Sequence, residues 1–270
     1  MSIDQTTSVR MRSVADLEVL RYTPEEKTLL HLRSIMTLAV MYGSLVFASY
    51  HPRFLWAAFL INMFSAVRYS GYIHALNHAY LGAKRVPWLL EILPAPYSPF
   101  ILGFSEVQRI HLTHHQYETA DGDPDNFVIA GRSKLLIFLK CAFIFEHWFF
   151  YAVRHHWLTH RFWVGYACRL ALFAGLLLGT DPWTFLIGFV LATKLGTGAS
   201  FFIFSYLAHV QHGKRGNYLL PLPAPLVVAN HVLIGRYAAD PAGFHATHHA
   251  RPSLSCGRLD VAHRAMTVSG

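Results

Sequence analysis

The hydrophobic and polar positions divide the first part of the chain into two long apolar runs with a short polar break between them. The first run covers residues 29–50, and the second covers residues 54–73 with Arg68 as its one charged residue. Each is close to the roughly 20 residues that an α-helix needs to cross a bilayer. The break at residues 51–53 therefore predicts the tip of a helical hairpin that returns the chain to its starting side.

A second hairpin of the same kind is predicted further along the chain. Residues 162–179 and residues 183–207 are two apolar runs, and only a short turn at residues 180–182 separates them. Taken with the first hairpin, the pattern predicts an all-α integral membrane protein with about four transmembrane helices.

Two further apolar segments do not match a straight span. Four prolines interrupt residues 87–104, and proline breaks a helix interior, so we expect an interfacial or re-entrant segment there. Residues 135–153 contain Lys140, Glu146 and His147, which favours a helix on the membrane surface over a tilted span.

The composition supports a membrane location. Hydrophobic residues make up 53% of the chain and charged residues only 14%, whereas about a quarter of the residues in a soluble domain are charged. The predicted hairpin tips carry only Arg53 as a basic residue, while the long loops and both ends carry most of the others. Cytoplasmic loops are rich in Lys and Arg, so both termini and the long loops are expected in the cytoplasm.

We therefore predict three parts of the chain. They are a cytoplasmic N-terminal arm at residues 1–28, a membrane domain at residues 29–265 and a short tail at residues 266–270. The net charge of +8 comes without basic runs interleaved with aromatic residues, so no nucleic-acid partner is expected. The three cysteines form no CxxC pair, which argues against a disulfide framework or a thiolate metal site.

Histidine is the residue type that points to chemistry, because its 18 copies outnumber the 15 acidic residues. Four short clusters occur in the segments HALNH, HLTHH, YLAHVQH and HATHH, all on the predicted cytoplasmic side. Within a cluster the spacing of three or four residues puts the rings on one face of a helix. The candidate ligands are His74, His78, His111, His114, His115, His209, His212, His245, His248 and His249.

One HxxxH pair alone is more often a surface or packing feature, but four clusters at one membrane face indicate metal binding. Neutral imidazole suits zinc, iron, copper and nickel. Nine or ten histidines exceed the needs of one ion, so two ions are expected.

The clusters and two longer segments resemble the membrane fatty acid desaturases and their wider superfamily. The segments are HHQYETADGDPDNF, which begins at His114, and GFHATHHARPSLSCGRLDVAHR, which begins at Gly243. The resemblance covers roughly residues 40–265. It implies four spanning helices, a cytosolic helical cap and a di-iron site in which two iron ions are held by the clustered histidines. One more ligand follows the last span in this family, and His209 and His212 compete for that role, with YLAH favouring His209.

Several other residues are candidates for orienting the ligands. Asp121, Asp123 and Asp125 could accept hydrogen bonds from ligand imidazoles, or simply form an Asp-Pro turn. Asn230 and His231, in the NHVLIG segment, are further candidates for such a supporting role.

The resemblance implies an O2-dependent oxidoreductase that introduces a double bond into a fatty acyl chain by successive C–H abstraction. Its expected partners are a fatty acyl lipid or other hydrophobic substrate, membrane lipids, and an electron donor protein of the ferredoxin or cytochrome b5 type. The alternatives are a carotenoid ketolase or hydroxylase, or a lipid hydroxylase, of the same superfamily. A histidine-rich metal-binding or transport protein is a hypothesis of a different class, and it would place histidines along a path through the spans.

Overall fold

The computed structural model describes residues 20–83, 86–92, 98–130, 133–220 and 222–268, and these are mostly helical. Most of the predicted N-terminal arm therefore lies outside the described residues. Helix α1 covers Pro24–Tyr50. It begins there because Pro24 suits a first helical position and the Thr23 side chain accepts a hydrogen bond from the backbone N–H of Glu26. A short 3₁₀ turn at Pro52–Phe54 leads into helix α2, Leu55–Ala79.

Among the described residues, three helices are long and apolar enough to cross a membrane: Pro24–Tyr50, His160–Gly179 and Thr184–Leu207. The last two are named α8 and α9 below. Helix α9 is wound as a π-helix at both ends, over Thr184–Leu191 and Phe202–Leu207. Its two ends are therefore more widely coiled than its middle. These three helices coincide with three of the four predicted spans.

Helix α2 is as long as a span but contains more polar side chains, and several of these are buried in the protein. Asn62, for example, is fully buried and its amide donates to Gly188 O of α9 (2.8 Å) and to Ser44 Oγ of α1 (3.1 Å). Polar side chains that bond to neighbouring helices in this way do not face lipid. The placement of α2 as a fourth span stays a prediction.

The middle of the chain contains short helices. They are α3 (Trp88–Ile92), α4 (Phe104–Tyr117), α5 (Asn126–Ile129), α6 (Lys134–Ala142) and α7 (Ile144–Arg154). Helices α6 and α7 meet at an angle of 65° and together are apolar enough to form a broken span. Their length and composition thus fit either a bent span or the predicted surface position. Residues 93–97, in the proline-rich segment, lie outside the described residues.

The C-terminal part folds back against α2. A hairpin of β1 (Val210–Gln211) and β2 (Lys214–Arg215) precedes α10 (Ala224–Leu233), α11 (Arg236–Gly243), α12 (His245–Ala250) and α13 (Leu259–Val268). Helix α11 crosses α2 so closely that a Cβ on Gly71 would lie 2.7 Å from the Cβ of Ala238. This contact, which only glycine permits, brings α12 beside the C-terminal end of α2.

Candidate metal centre

Two helices supply the first histidines. His74 and His78 lie one turn apart near the end of α2, and the spacing of HLTHH puts its rings on the adjoining side of α4. The side-chain amide of Gln108 donates to the carbonyl of Asn77 (2.7 Å), which joins α4 to the last turn of α2. The two clusters therefore face each other across the α2–α4 contact.

The remaining histidines come from the C-terminal part. His245, His248 and His249 lie on the single short helix α12, and all are buried. His209 lies two residues after the end of α9, and its carbonyl accepts a hydrogen bond from the N–H of Gly216 (3.0 Å). The β1–β2 hairpin thus fixes the backbone at His209, whose ring is completely buried.

Four of these rings form what we call the first group: His74, His78, His111 and His248. One nitrogen of each lies within 4.8 Å of the corresponding nitrogens of the other three. The Nε2 atoms of His78 and His111 are only 2.6 Å apart. His248 is 1% exposed, and neither of its ring nitrogens has a hydrogen-bond partner among the described residues.

The second group contains His114, His209, His245 and His249, all of them buried. The Nε2 atom of His209 lies 3.1 Å from that of His114 and 2.9 Å from that of His245. The buried Nε2 of His249 has no hydrogen-bond partner in the described part of the chain.

His115 lies between the groups. Its Nε2 is 3.2 Å from Nε2 of His111 in the first group, and its ring stacks on that of His249 in the second, with centroids 4.1 Å apart. The structure therefore brings nine of the ten candidate histidines together.

The donor set fits metal ions. Ligands about 2 Å from one ion lie about 3 Å from each other, which is the spacing found between the converging Nε2 atoms. Buried imidazole nitrogens that face one another without other partners would be costly unless a cation satisfied them. The His clusters are thus able to bind metal.

Burial also prepares the ligands for a cation. Burial, and next the neighbouring His114, lower the pKa of His209 to about 4, so this ring is neutral at pH 7 and needs no deprotonation to ligate. Burial alone would lower the pKa of His114 as well, but the carboxylates of Asp125 and Asp123 outweigh it and raise that pKa.

Oxygen atoms accept hydrogen bonds from the outer ring nitrogens of the second group, the Nδ1 atoms. Nδ1 of His114 lies 3.0 Å from Asp123, and Nδ1 of His249 lies 3.3 Å from Glu118. Nδ1 of His209 donates to the carbonyl of Gly216 (3.1 Å), and Nδ1 of His245 donates to that of Pro241 (3.2 Å). These bonds orient each ring so that Nε2 faces the metal position.

Asp123 and Asp125 are themselves held in place. Asp123 accepts hydrogen bonds from the backbone N–H groups of Thr119 (2.7 Å) and Asp125 (2.8 Å). Asp125 accepts the indole N–H of Trp148 and the hydroxyl of Ser205, each at 3.0 Å. The two buried carboxylates therefore form a rigid support beneath His114.

The first group has no such support within the described residues. Its outer contacts are weaker: Nδ1 of His74 lies 3.8 Å from the thiol of Cys256, and the backbone carbonyl of Pro252 faces His78. No carboxylate in the described ranges bonds to a ring nitrogen of His74, His78, His111 or His248.

Four candidate residues lie elsewhere. His212 is exposed in the turn between β1 and β2, away from both groups, so the structure places His209 rather than His212 in the centre. Asp121 is exposed. His231 bonds to Asp240 (2.7 Å), and neither it nor Asn230 contacts a clustered histidine in the described part of the chain. The sequence reasoning in turn missed Glu118 and Cys256, for which no spacing rule gave a signal.

An apolar cavity adjoins the histidines. Its walls include Ile73, Ile101, Phe201 and Phe204. Five histidines of the two groups also line it: His74, His111, His114, His245 and His249. An apolar ligand in this cavity would lie directly against the metal positions.

Comparison with known proteins gives one result. The family model described as fatty acid desaturase matches residues 50–267. No curated protein and no solved structure gives a significant match to the chain.

Proposed function

Because the chain belongs to the fatty acid desaturase family, an oxidoreductase family, we propose that it is an O2-dependent di-iron enzyme that introduces a double bond into a fatty acyl chain. The observation that carries the proposal is the apolar cavity whose wall is shared with five histidines of the metal centre. Such a cavity suits a hydrocarbon chain, and it presents that chain to the metal positions.

Nine histidines would hold the two irons: the first group, the second group and His115. When bound, iron supplies the oxidising power that side-chain acids and bases lack for attack on an unactivated C–H bond. Overall, two hydrogens leave the acyl chain, and with two electrons and two protons from outside they reduce O2 to two waters. The electrons would come from a separate protein of the ferredoxin or cytochrome b5 type.

The protein itself binds and orients the substrate. The side chains of Ile73, Phe201 and Phe204 exclude water from the reacting methylenes and hold the chain by apolar contact. Asp123 and Asp125 keep His114 in one tautomer and one orientation. Pre-set ligands of this kind avoid reorganisation during the reaction.

The location follows from the same reasoning. We propose an integral membrane protein in which α1, α2, α8 and α9 span the bilayer and the remaining helices form a cytosolic cap. The active site and both termini would lie on the cytoplasmic side, as the positive-inside rule predicts. The collection of histidines at one place, rather than along a path, argues against a metal transporter.

A second candidate, hydroxylation or ketolation of a lipid or carotenoid, has one observation in its favour. The hydroxyl of Ser200 and the amide oxygen of Asn77 belong to residues that line the cavity, both nearly fully buried, and neither atom has a partner among the described residues. A product oxygen in the cavity would satisfy such groups, since buried polar atoms normally have partners.

Mass spectrometry of cells that express the chain tests these proposals. Cells fed fatty acids and, separately, β-carotene should accumulate acyl chains lighter by two hydrogens, and the His245→Ala variant should not produce them. Products that gain oxygen instead would shift the assignment to the second candidate. Unchanged pools in both feeds, with iron absent from the purified protein, would overturn the proposed function.

A further inference from the structure

The turn after α4 has an unusual backbone. Glu118 and Thr119 follow each other with φ of 42° and 72°, a left-handed conformation that residues other than glycine seldom adopt. Consecutive positions of this kind store strain that the surrounding structure must balance, and such strain concentrates at functional sites.

The strained turn serves one group of histidines. It sends the carboxylate of Glu118 back to Nδ1 of His249 (3.3 Å) and aims the N–H of Thr119 at Asp123 (2.7 Å). Arg215 donates to the carbonyl of Thr119 (3.1 Å), which ties the turn to the β1–β2 hairpin. Both histidines supported in this way, His249 directly and His114 through Asp123, belong to the second group.

We infer that the two metal positions are unequal, and that the second group binds its ion more tightly and fills first because Glu118 and Asp123 bond to its ligands. A carboxylate that accepts the outer N–H of a ligating imidazole makes that ring more basic and fixes its orientation. The first group has only uncharged outer contacts within the described residues, namely the Cys256 thiol 3.8 Å from His74 and the Pro252 backbone beside His78, and a thiol is a weak hydrogen-bonding group. The inference rests on the proposed two-metal site.

The charge of the surroundings acts in the same direction. Asp123 and Asp125 are buried within reach of His114, so an ion in the second group lies close to two negative charges that solvent barely screens. No carboxylate in the described part of the chain bonds to a histidine of the first group, so a dication there has no such charge on its ligands.

Titration of the metal-free full-length protein with Co²⁺ tests the inference, followed by absorption spectroscopy and by metal content after gel filtration. Wild-type protein should bind two ions in two steps. His245→Ala removes a ligand of the second group and should abolish the tight step. His74→Ala removes a ligand of the first group and should abolish the weak step.

Glu118 gives the finer test. Glu118→Ala should raise the dissociation constant of the tight step by about 10- to 100-fold and leave the weak step within about twofold. Glu118→Gln keeps an oxygen acceptor for His249 and should restore much of the affinity. Asp121→Ala, an exposed acid in the same turn region, is the matched control and should change neither step.

The outcomes separate the two proposals. A single affinity for both ions would overturn the inequality while leaving the two-metal site intact, as would a Glu118→Ala effect confined to the weak step. Absence of any bound Co²⁺ in the wild type would overturn the metal site itself. Because Glu118 is 44% exposed at its side chain, its replacement leaves the buried core unchanged.

Discussion

The first group takes its histidines from α2, α4 and α12, whereas the second takes them from α4, α12 and the segment that follows α9. Both contain four imidazoles at contact distance, but their surroundings differ. The turn after α4 supplies two carboxylates to the outer ring nitrogens of the second group, and the carbonyls of Gly216 and of Pro241, in the last turn of α11, accept from two more. Two of the four rings in the first group lie on α2, a helix whose backbone groups are already used by its own hydrogen bonds.

The difference shows how the same ligand type can serve two unequal positions. A helix interior offers few free acceptors to a ring that lies on it, because its carbonyls bond to N–H groups one turn along. Turns and helix ends leave carbonyls and carboxylates free, and the segment Glu118–Asp125 uses the carboxylates of Glu118 and Asp123. The following variants test that comparison, beginning with the largest expected effect.

Replacement of His209 should have the largest effect. His209→Ala removes a ligand from the centre of the second group, so product formation should fall to background and the bound metal should drop by about one ion per chain. His212→Ala is the matched control, because this ring lies in an exposed turn, and its activity should stay within about twofold. Equal losses in both variants, measured by product mass spectrometry and metal content, would refute the grouping.

The next effect compares the supports of the two groups. Asp123→Asn replaces an acceptor of His114 with an amide and should weaken metal binding about 10- to 100-fold. Cys256→Ser changes the contact to His74 and should weaken metal binding in the first group by less than about threefold. Metal titration monitored by absorption gives both values. A larger loss for Cys256→Ser than for Asp123→Asn would reverse the proposed order of the two positions.

A buried carboxylate outside both groups should affect stability without affecting metal. Burial and, next, the neighbouring Glu91 raise the pKa of Glu106 to about 7 from the ordinary value of 4.5. The folded protein therefore holds this proton more strongly than the unfolded chain. Its stabilising effect is complete below pH 4.5 and is lost as the pH rises through about 7.

Glu106→Gln should remove that dependence. At pH 8 the variant should be more stable than the wild type by up to about 3 kcal/mol, and at pH 4.5 the two should be similar. Thermal unfolding in detergent between pH 4.5 and pH 8 measures the difference, and metal content should stay at the wild-type level. A variant that loses metal would connect Glu106 to the centre, contrary to this expectation.

The smallest effect is expected at His231. This ring bonds to Asp240, which also pairs with Arg236, and contacts neither group. His231→Gln should keep metal affinity within about twofold and lower the stability by about 1 kcal/mol or less, as for a partly exposed pair. A clear loss of metal in titration would restore His231 as a residue that supports the ligands.

Much of the fold was predictable because its cause is local. Apolar runs of about 20 residues predict α1, α8 and α9 directly, and the spacing of three and four within HLTHH and HATHH places rings on one helix face. The weaker hydropathy of α2 has a tertiary cause, since Asn62 and the histidines on this helix are buried against other helices. The hydropathy of a segment shows how apolar its residues are, but it does not show whether lipid or protein surrounds them.

The sequence by itself determined the family, three long apolar helices and a set of ten histidines, nine of which come together in the structure. Only the tertiary structure decided how these divide into two groups, that His209 rather than His212 joins them, and that Glu118 bonds to His249. The physical reason is the separation along the chain of the residues that meet. A helical repeat places neighbours three or four residues apart, whereas Glu118 and His249 are separated by 131 residues. They meet because two left-handed residues turn the chain after α4, and because Gly71 lets α11 bring α12 close to α2.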